Sequence, residues 1–179
     1  MRWIRRSLLV IGFVALSYVA ESAIDSELYQ FQLRRAFDEQ QEQLPAGTIG
    51  KIEIPKIGLS AMIAEGTEWA TLRRAIGHIP GTAFPGETGN AGVAAHRDTF
   101  FRGLRNISRG DAIDVTTDRG VFRYVVESTE IVKPNDVSVL KPGGSQELTL
   151  ITCYPFFWIG PAPKRFIVHA KVDANATRS

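Results

Sequence analysis

The chain holds one cysteine, Cys153 in the run "ELTLITCYPF", and three histidines, His78, His96 and His169. A thiol with an ordinary pKa of about 8.5 is only a few per cent thiolate at neutral pH, so a nucleophilic cysteine needs a base beside it. Alternation along "ELTLITC" puts Leu148, Leu150 and Thr152 on one face of a strand and Cys153 on the other. Pro155 has no N–H to donate, so regular pairing is expected to stop just past the cysteine. A side chain at a strand end can leave the core and still be held rigidly. Free cysteine is also commonly a small buried hydrophobe, and the residue type alone leaves that alternative open. Among the bases, His96 ends the apolar run "NAGVAAH", a placement that mirrors that of Cys153, and it ranks first. His78, in "IGHIPG", precedes a Pro-Gly turn where an imidazole often caps a backbone carbonyl, and ranks second; His169 lies inside "RFIVHAKV" and ranks third. Acyl transfer also needs a donor for the tetrahedral oxyanion. Arg165 follows Cys153 by 12 positions. If "YPFFWIGPAPK" is a hairpin loop, Arg165 returns beside Cys153 and offers a planar, permanently charged fork. The alternative is an exposed arginine next to Lys164.

Those three side chains can meet only if short strands carry them to one place. "KIEIP" alternates, "SAMIAEG" follows it, and "TEWATLRRA" reads as a short helix with a threonine N-cap. "NAGVAAH" is an apolar strand, and "DTFFRGLRNI" looks like a helix opened by Asp98. "RGDAIDVTTDRGVFRYVVESTEIVKP" is a hairpin turning around "TDRG", with Gly120 suited to the tight turn; "QELTLITCYPF" and "KRFIVHAKV" add two strands. About eight short strands with few helices predict a mainly β fold, a closed or nearly closed barrel.

Composition narrows the possible partners. Of 179 residues, 44% are hydrophobic and 22% charged, enough for one ordinary core. A net charge of +2, with scattered Lys and Arg, gives no footprint for nucleic acid. One cysteine forms no internal disulfide, and one cysteine with three histidines makes no zinc site; no acidic cluster marks a calcium site, so neither metal nor cofactor is expected. The N-terminus is more specific. "MRWIRR" precedes the apolar run Ser7 to Ala20 and the acidic "ESAIDSE". Cleavage after Ala20 or Ala23 would put Tyr18 or Glu21 at the minus-three position, where signal peptidase needs a small residue. A retained anchor is therefore expected, with Arg2, Arg5 and Arg6 holding its N-terminal end in the cytoplasm. Residues 1–24 would be the cytoplasmic tip and signal anchor, 25–49 a stalk helix and linker, 50–173 the catalytic domain and 174–179 a tail. The domain would then lie outside the cytoplasm, where an unpaired thiol is unusual.

Three segments resemble one family in the expected order. "TLITC" resembles the TLxTC motif of sortases, the cysteine transpeptidases of bacterial envelopes. "PGETGNAGVAAHRDTFFRGL" is similar to their histidine segment, and "YPFFWIGPAPKRFIV" to the cysteine-to-arginine loop, above all in class D. The resemblance runs from about Gly50 to Val172. It implies an eight-stranded sortase-type barrel with short helices behind an N-terminal transmembrane helix and a stalk helix. It also implies Cys153 as the nucleophile that forms an acyl-thioester, His96 as general acid and base, and Arg165 as the oxyanion ligand. Thr152, Ala95 and Tyr154 would line the substrate groove, Ala95 standing where many relatives carry glycine. The implied partners are proteins bearing an LPxTG-like sorting signal, an amine of peptidoglycan or a pilin subunit, and membrane lipid around the anchor.

Other readings fit less well. L,D-transpeptidases carry histidine just before their cysteine, whereas His96 precedes Cys153 by 57 positions. Papain-like proteases place cysteine first, at the opening of a helix. A barrel that only binds envelope peptides should have lost one member of the triad, and all three are present.

Overall fold

The computed structural model describes Trp3, Arg6, Leu9, Leu28 and residues 47–173. The expected anchor and stalk otherwise lie outside the described residues, as does the tail from 174 on. Among the described residues no helix is long and apolar enough to cross a membrane.

Eight strands form a closed barrel: β1 (Thr48–Ile54), β2 (Leu59–Glu65), β3 (Ile76–His78), β4 (Gly89–Ala94), β5 (Ala112–Thr117), β6 (Gly120–Val132), β7 (Gln146–Tyr154) and β8 (Lys164–Val172). Around the barrel the order is β1-β2-β3-β4-β7-β8-β6-β5. Most neighbours are antiparallel, but β2 with β3 and β4 with β7 run parallel. Period-two alternation supplies the core. Ile52 and Ile54, Ala61 and Ile63, Ala91 and Val93, Ile113 and Val115, Leu148 and Leu150, and Val168 and Ala170 all point inward and are almost fully buried. Closure leaves no free sheet edge to cap.

Two details differ from the sequence expectation. The short helix α1 (Trp69–Leu72) is capped by Glu68, not by Thr67, and without a side-chain hydrogen bond. The segment after His96 is a 3-10 helix, Phe100–Asn106, whose N-cap is Thr99 and not Asp98; Thr99 also makes no side-chain cap bond. β3 went unseen because three residues, one of them glycine, are too few to show alternation. Behind it, Ile79-Pro80-Gly81-Thr82 makes a tight turn, with Thr82 N–H donating to the Ile79 carbonyl at 3.2 Å and Gly81 at φ 84°. Proline before a positive-φ glycine is the residue pair such a turn requires.

Candidate active site

β7 is the central strand of the site. Its inward residues are Leu148, Leu150 and Thr152, so Thr149, Ile151 and Cys153 face outward. On β4 the inward residues Ala91, Val93 and Ala95 leave Asn90, Gly92, Ala94 and His96 outward. On β8, Val168 and Ala170 face inward and Arg165 outward. Register then sets the level of each. Cys153 is paired directly with Arg165 across the antiparallel β7–β8 ladder. The parallel β4–β7 ladder ends at Ala94 opposite Ile151, and Ala95 N–H still donates to the Ile151 carbonyl at 3.2 Å. Continuing that register two residues brings His96 level with Cys153. Neighbouring strands lie about 4.8 Å apart, so histidine and arginine flank the half-buried thiol from opposite sides on one outer face.

The same face is covered at its other end. Asn90 and Thr149 are buried there, Thr149 Oγ1 donating to Asn90 Oδ1 at 2.8 Å and Asn90 Nδ2 to the Val139 carbonyl at 3.1 Å. This cover includes the 3-10 turn Val137–Leu140 and depends on Gly92, where a Cβ would stand 2.7 Å from Leu140 Cδ2. Beyond that cover Ala94, Ile151, His96 and Cys153 are half-buried on the same outer face.

Each titratable member is held differently. The His96 ring meets Trp69 of α1 edge-on, with centroids 5.3 Å apart at 65°. Its Nε2 is buried and makes no hydrogen bond within the protein. Arg165 Nη1 donates to the carbonyls of Lys164 at 3.0 Å and Ala162 at 3.4 Å. That anchors the guanidinium while Nε and Nη2 retain their donors for a ligand.

The side chains of Thr152 and Ala95 correct the expectation of groove residues. Both face the interior, 2% and 5% exposed, and Thr152 Oγ1 donates to the Ala95 carbonyl at 2.8 Å. Alternation dictates this, since each directly neighbours an outward residue, Cys153 or His96. They tie the end of β4 to β7 beneath the site and thereby fix the spacing of His96 and Cys153. Tyr154 shares their phase and packs with Phe156 and Phe166, at centroid distances of 5.9 and 6.4 Å, so it too supports the site from below.

Of the other histidines, His78 stands apart from this face, whereas His169 lies at its far, covered end, paired with Thr149, whose Oγ1 is 3.4 Å from His169 Nδ1. His78 is buried on the inner side, Nε2 2.9 Å from the Ala83 carbonyl and Nδ1 2.7 Å from Glu65 Oε2, so it does hold a backbone carbonyl. His169 bonds Glu130 at 2.9 Å. Arg97 escaped the sequence reading, although it directly follows His96. Its Nη2 donates to the carbonyls of Trp158 at 2.7 Å and Gly160 at 3.1 Å, fastening the β7–β8 loop to the histidine segment.

The comparisons agree with this arrangement. Residues 52–173 match the Sortase domain family model, and the chain belongs to the sortase family. It is 38% identical over 123 residues to Sortase D of Bacillus subtilis (strain 168), an alignment covering 68% of this chain and 62% of the relative. It is 27% identical over 135 residues to Sortase A of Listeria monocytogenes serovar 1/2a, covering 65% and 60%. The chain thus matches about three fifths of the length of these relatives. Among solved structures, a Clostridium perfringens Sortase D5 transpeptidase superposes with TM-score 0.70 at 29% identity, covering 83% of this chain and 98% of that one. Sortase A from Corynebacterium diphtheriae gives 0.69 at 28% identity, covering 76% and 66%. The Sortase D matches accord with the class D character of the cysteine-to-arginine loop.

Proposed function

We propose that the chain is a membrane-anchored cysteine transpeptidase that cuts an LPxTG-like sorting signal and passes the acyl group to an amine. One observation carries the reading: strand register sets Cys153 between His96 and Arg165 on a single outward face. In the first half-reaction His96 takes the thiol proton of Cys153, and Sγ attacks the carbonyl carbon of the threonine–glycine bond. The developing oxyanion is met by the free donors of Arg165, the C–N bond breaks, and His96 gives its proton to the leaving amine. The product is a thioester on Cys153. In the second half an incoming amine loses its proton to His96 and attacks the thioester, and Sγ leaves as thiolate. The acceptor is an amine of peptidoglycan or of a pilin subunit. The N-terminal run holds the chain in the cell membrane with its N-terminus in the cytoplasm and the barrel outside.

Incubating the protein with sorting-motif peptides and amines, with mass spectrometry of intact chain and products, tests this. Wild type should form an acyl adduct and an amine-linked peptide. Cys153→Ala should form neither, while its thermal unfolding matches wild type, because the change removes one atom from a strand end. Transpeptidation by Cys153→Ala would overturn the assignment.

A further inference from the structure

The β7–β8 loop projects three consecutive large apolar residues away from the barrel: Phe157 is 79% exposed, Trp158 50% and Ile159 100%. Single exposed hydrophobes are ordinary, but three at one loop tip form a patch that water solvates poorly. The tip is prevented from folding back. Arg97 Nη2 holds the carbonyls of Trp158 and Gly160, and the Arg105 guanidinium lies 5.3 Å from the Phe157 ring centroid.

The tip is also poor in groups that would need water. Trp158 Nε1 already donates to the Pro161 carbonyl at 3.1 Å, so its indole can leave water without orphaning a donor. Pro155, Pro161 and Pro163 remove three backbone N–H groups from the loop. The rim around it is basic. Residues 97–106 and 155–165, joined by the Arg97 and Arg105 contacts, carry Arg97, Arg102, Arg105, Lys164 and Arg165 against the single carboxylate Asp98. In the whole chain the balance is nearly even, 21 basic residues against 19 acidic.

An apolar, internally satisfied tip inside a basic rim fits one kind of surface, a bilayer with anionic headgroups. There the ring and the isoleucine enter the interface while the exposed guanidinium groups of Arg102 and Arg105 and the Lys164 ammonium meet phosphate. We infer that the Phe157-Trp158-Ile159 tip is a second membrane contact, which lays the groove end of the barrel against an anionic lipid surface. It adds to the proposed N-terminal anchor and does not depend on it for its chemistry.

The test uses the full chain with Trp3→Phe and Trp69→Phe, which leaves Trp158 as sole tryptophan. The protein is reconstituted with vesicles of phosphatidylcholine, with or without phosphatidylglycerol, and with or without brominated acyl chains. In phosphatidylglycerol vesicles Trp158 emission should move to the blue and be quenched by bromine roughly twofold. Quenching should fall away with Phe157→Ser/Ile159→Ser and weaken with Arg102→Gln/Arg105→Gln. Flotation of the same vesicles reads the anchor separately. A chain that floats with Trp158 unquenched overturns the loop contact and leaves the anchor standing; a chain that does not float overturns both. Equal quenching without phosphatidylglycerol overturns the anionic preference on which the inference is built. A blue shift that appears only when a sorting peptide is added, with no bromine quenching, assigns the tip to the substrate and overturns it as well.

Discussion

Arg165 is anchored through one nitrogen only, Nη1, on the carbonyls of Ala162 and Lys164, which leaves its remaining N–H groups without a partner in the protein. A guanidinium can be anchored and still bind, because its donors are spread over a rigid plane. Lysine has no such division, so an ammonium captured by Ala162 and Lys164 has less to offer an oxyanion. Arg165→Lys should therefore lower kcat by roughly 10²-fold or more, the scale seen when one oxyanion donor is lost. Peptide turnover by a variant of unchanged thermal stability is the measurement, and near-normal kcat would remove Arg165 from that role. The outward phase of Cys153, His96 and Arg165 was readable in advance, since alternation fixes face wherever a strand has one buried side. The inward phase of Thr152 and Ala95 follows from the same rule, yet both were placed in the groove because they neighbour the motif residues. Adjacency in sequence is opposition in a strand.

At the scale of elements, the β7–β8 loop and the segment after His96 behave as one unit. Arg97 joins them by donating to two carbonyls, and Arg105 adds the contact with Phe157. If the loop is a wall of the substrate groove, Arg97 is a positioning residue that acts through it. Arg97→Met keeps the aliphatic stem and removes both bonds. The KM for a sorting peptide should rise about tenfold with a smaller change in kcat, since a loosened wall weakens binding more than chemistry. Limited proteolysis within residues 156–162 should quicken in parallel. Unchanged KM together with unchanged cleavage would show that the loop holds its shape without Arg97. This joint was not legible in the sequence, because 61 positions separate Arg97 from Trp158 and nothing local in either segment encodes the other. The helix caps failed for a related reason. Thr67 and Asp98 have the right side chains, but α1 spans four residues and the later helix is 3-10, so tertiary packing sets their starts.

The barrel as a whole depends on pairings that no short stretch announces. Eight alternating strands predict closure, but the parallel β4–β7 pair, which brings His96 to Cys153, joins segments more than fifty residues apart. Tyr124 of β6 shows how the interior and a barrel-end loop are linked. Its ring is fully buried, and its hydroxyl accepts the Gly86 N–H at 2.8 Å, while Gln146 Nε2 donates to the Gly86 carbonyl at 2.6 Å. Burial pushes the Tyr124 phenol above its ordinary range, and the bond from Gly86 opposes this only in part. In the unfolded chain the phenol ionises near pH 10. Since the folded state binds that proton more tightly, the stabilisation is complete below about pH 10 and is lost as pH rises through the folded value. Tyr124→Phe removes this dependence and orphans the Gly86 N–H. It should be less stable at neutral pH by about 1–2 kcal/mol, a fall of a few degrees in Tm. Above pH 10 its Tm should decline less steeply than that of wild type, so the two curves converge. Thermal unfolding followed by circular dichroism from pH 7 to about 11 reads both effects. Curves that stay parallel throughout would mean that Tyr124 titrates alike in both states, and that its burial does not hold the proton.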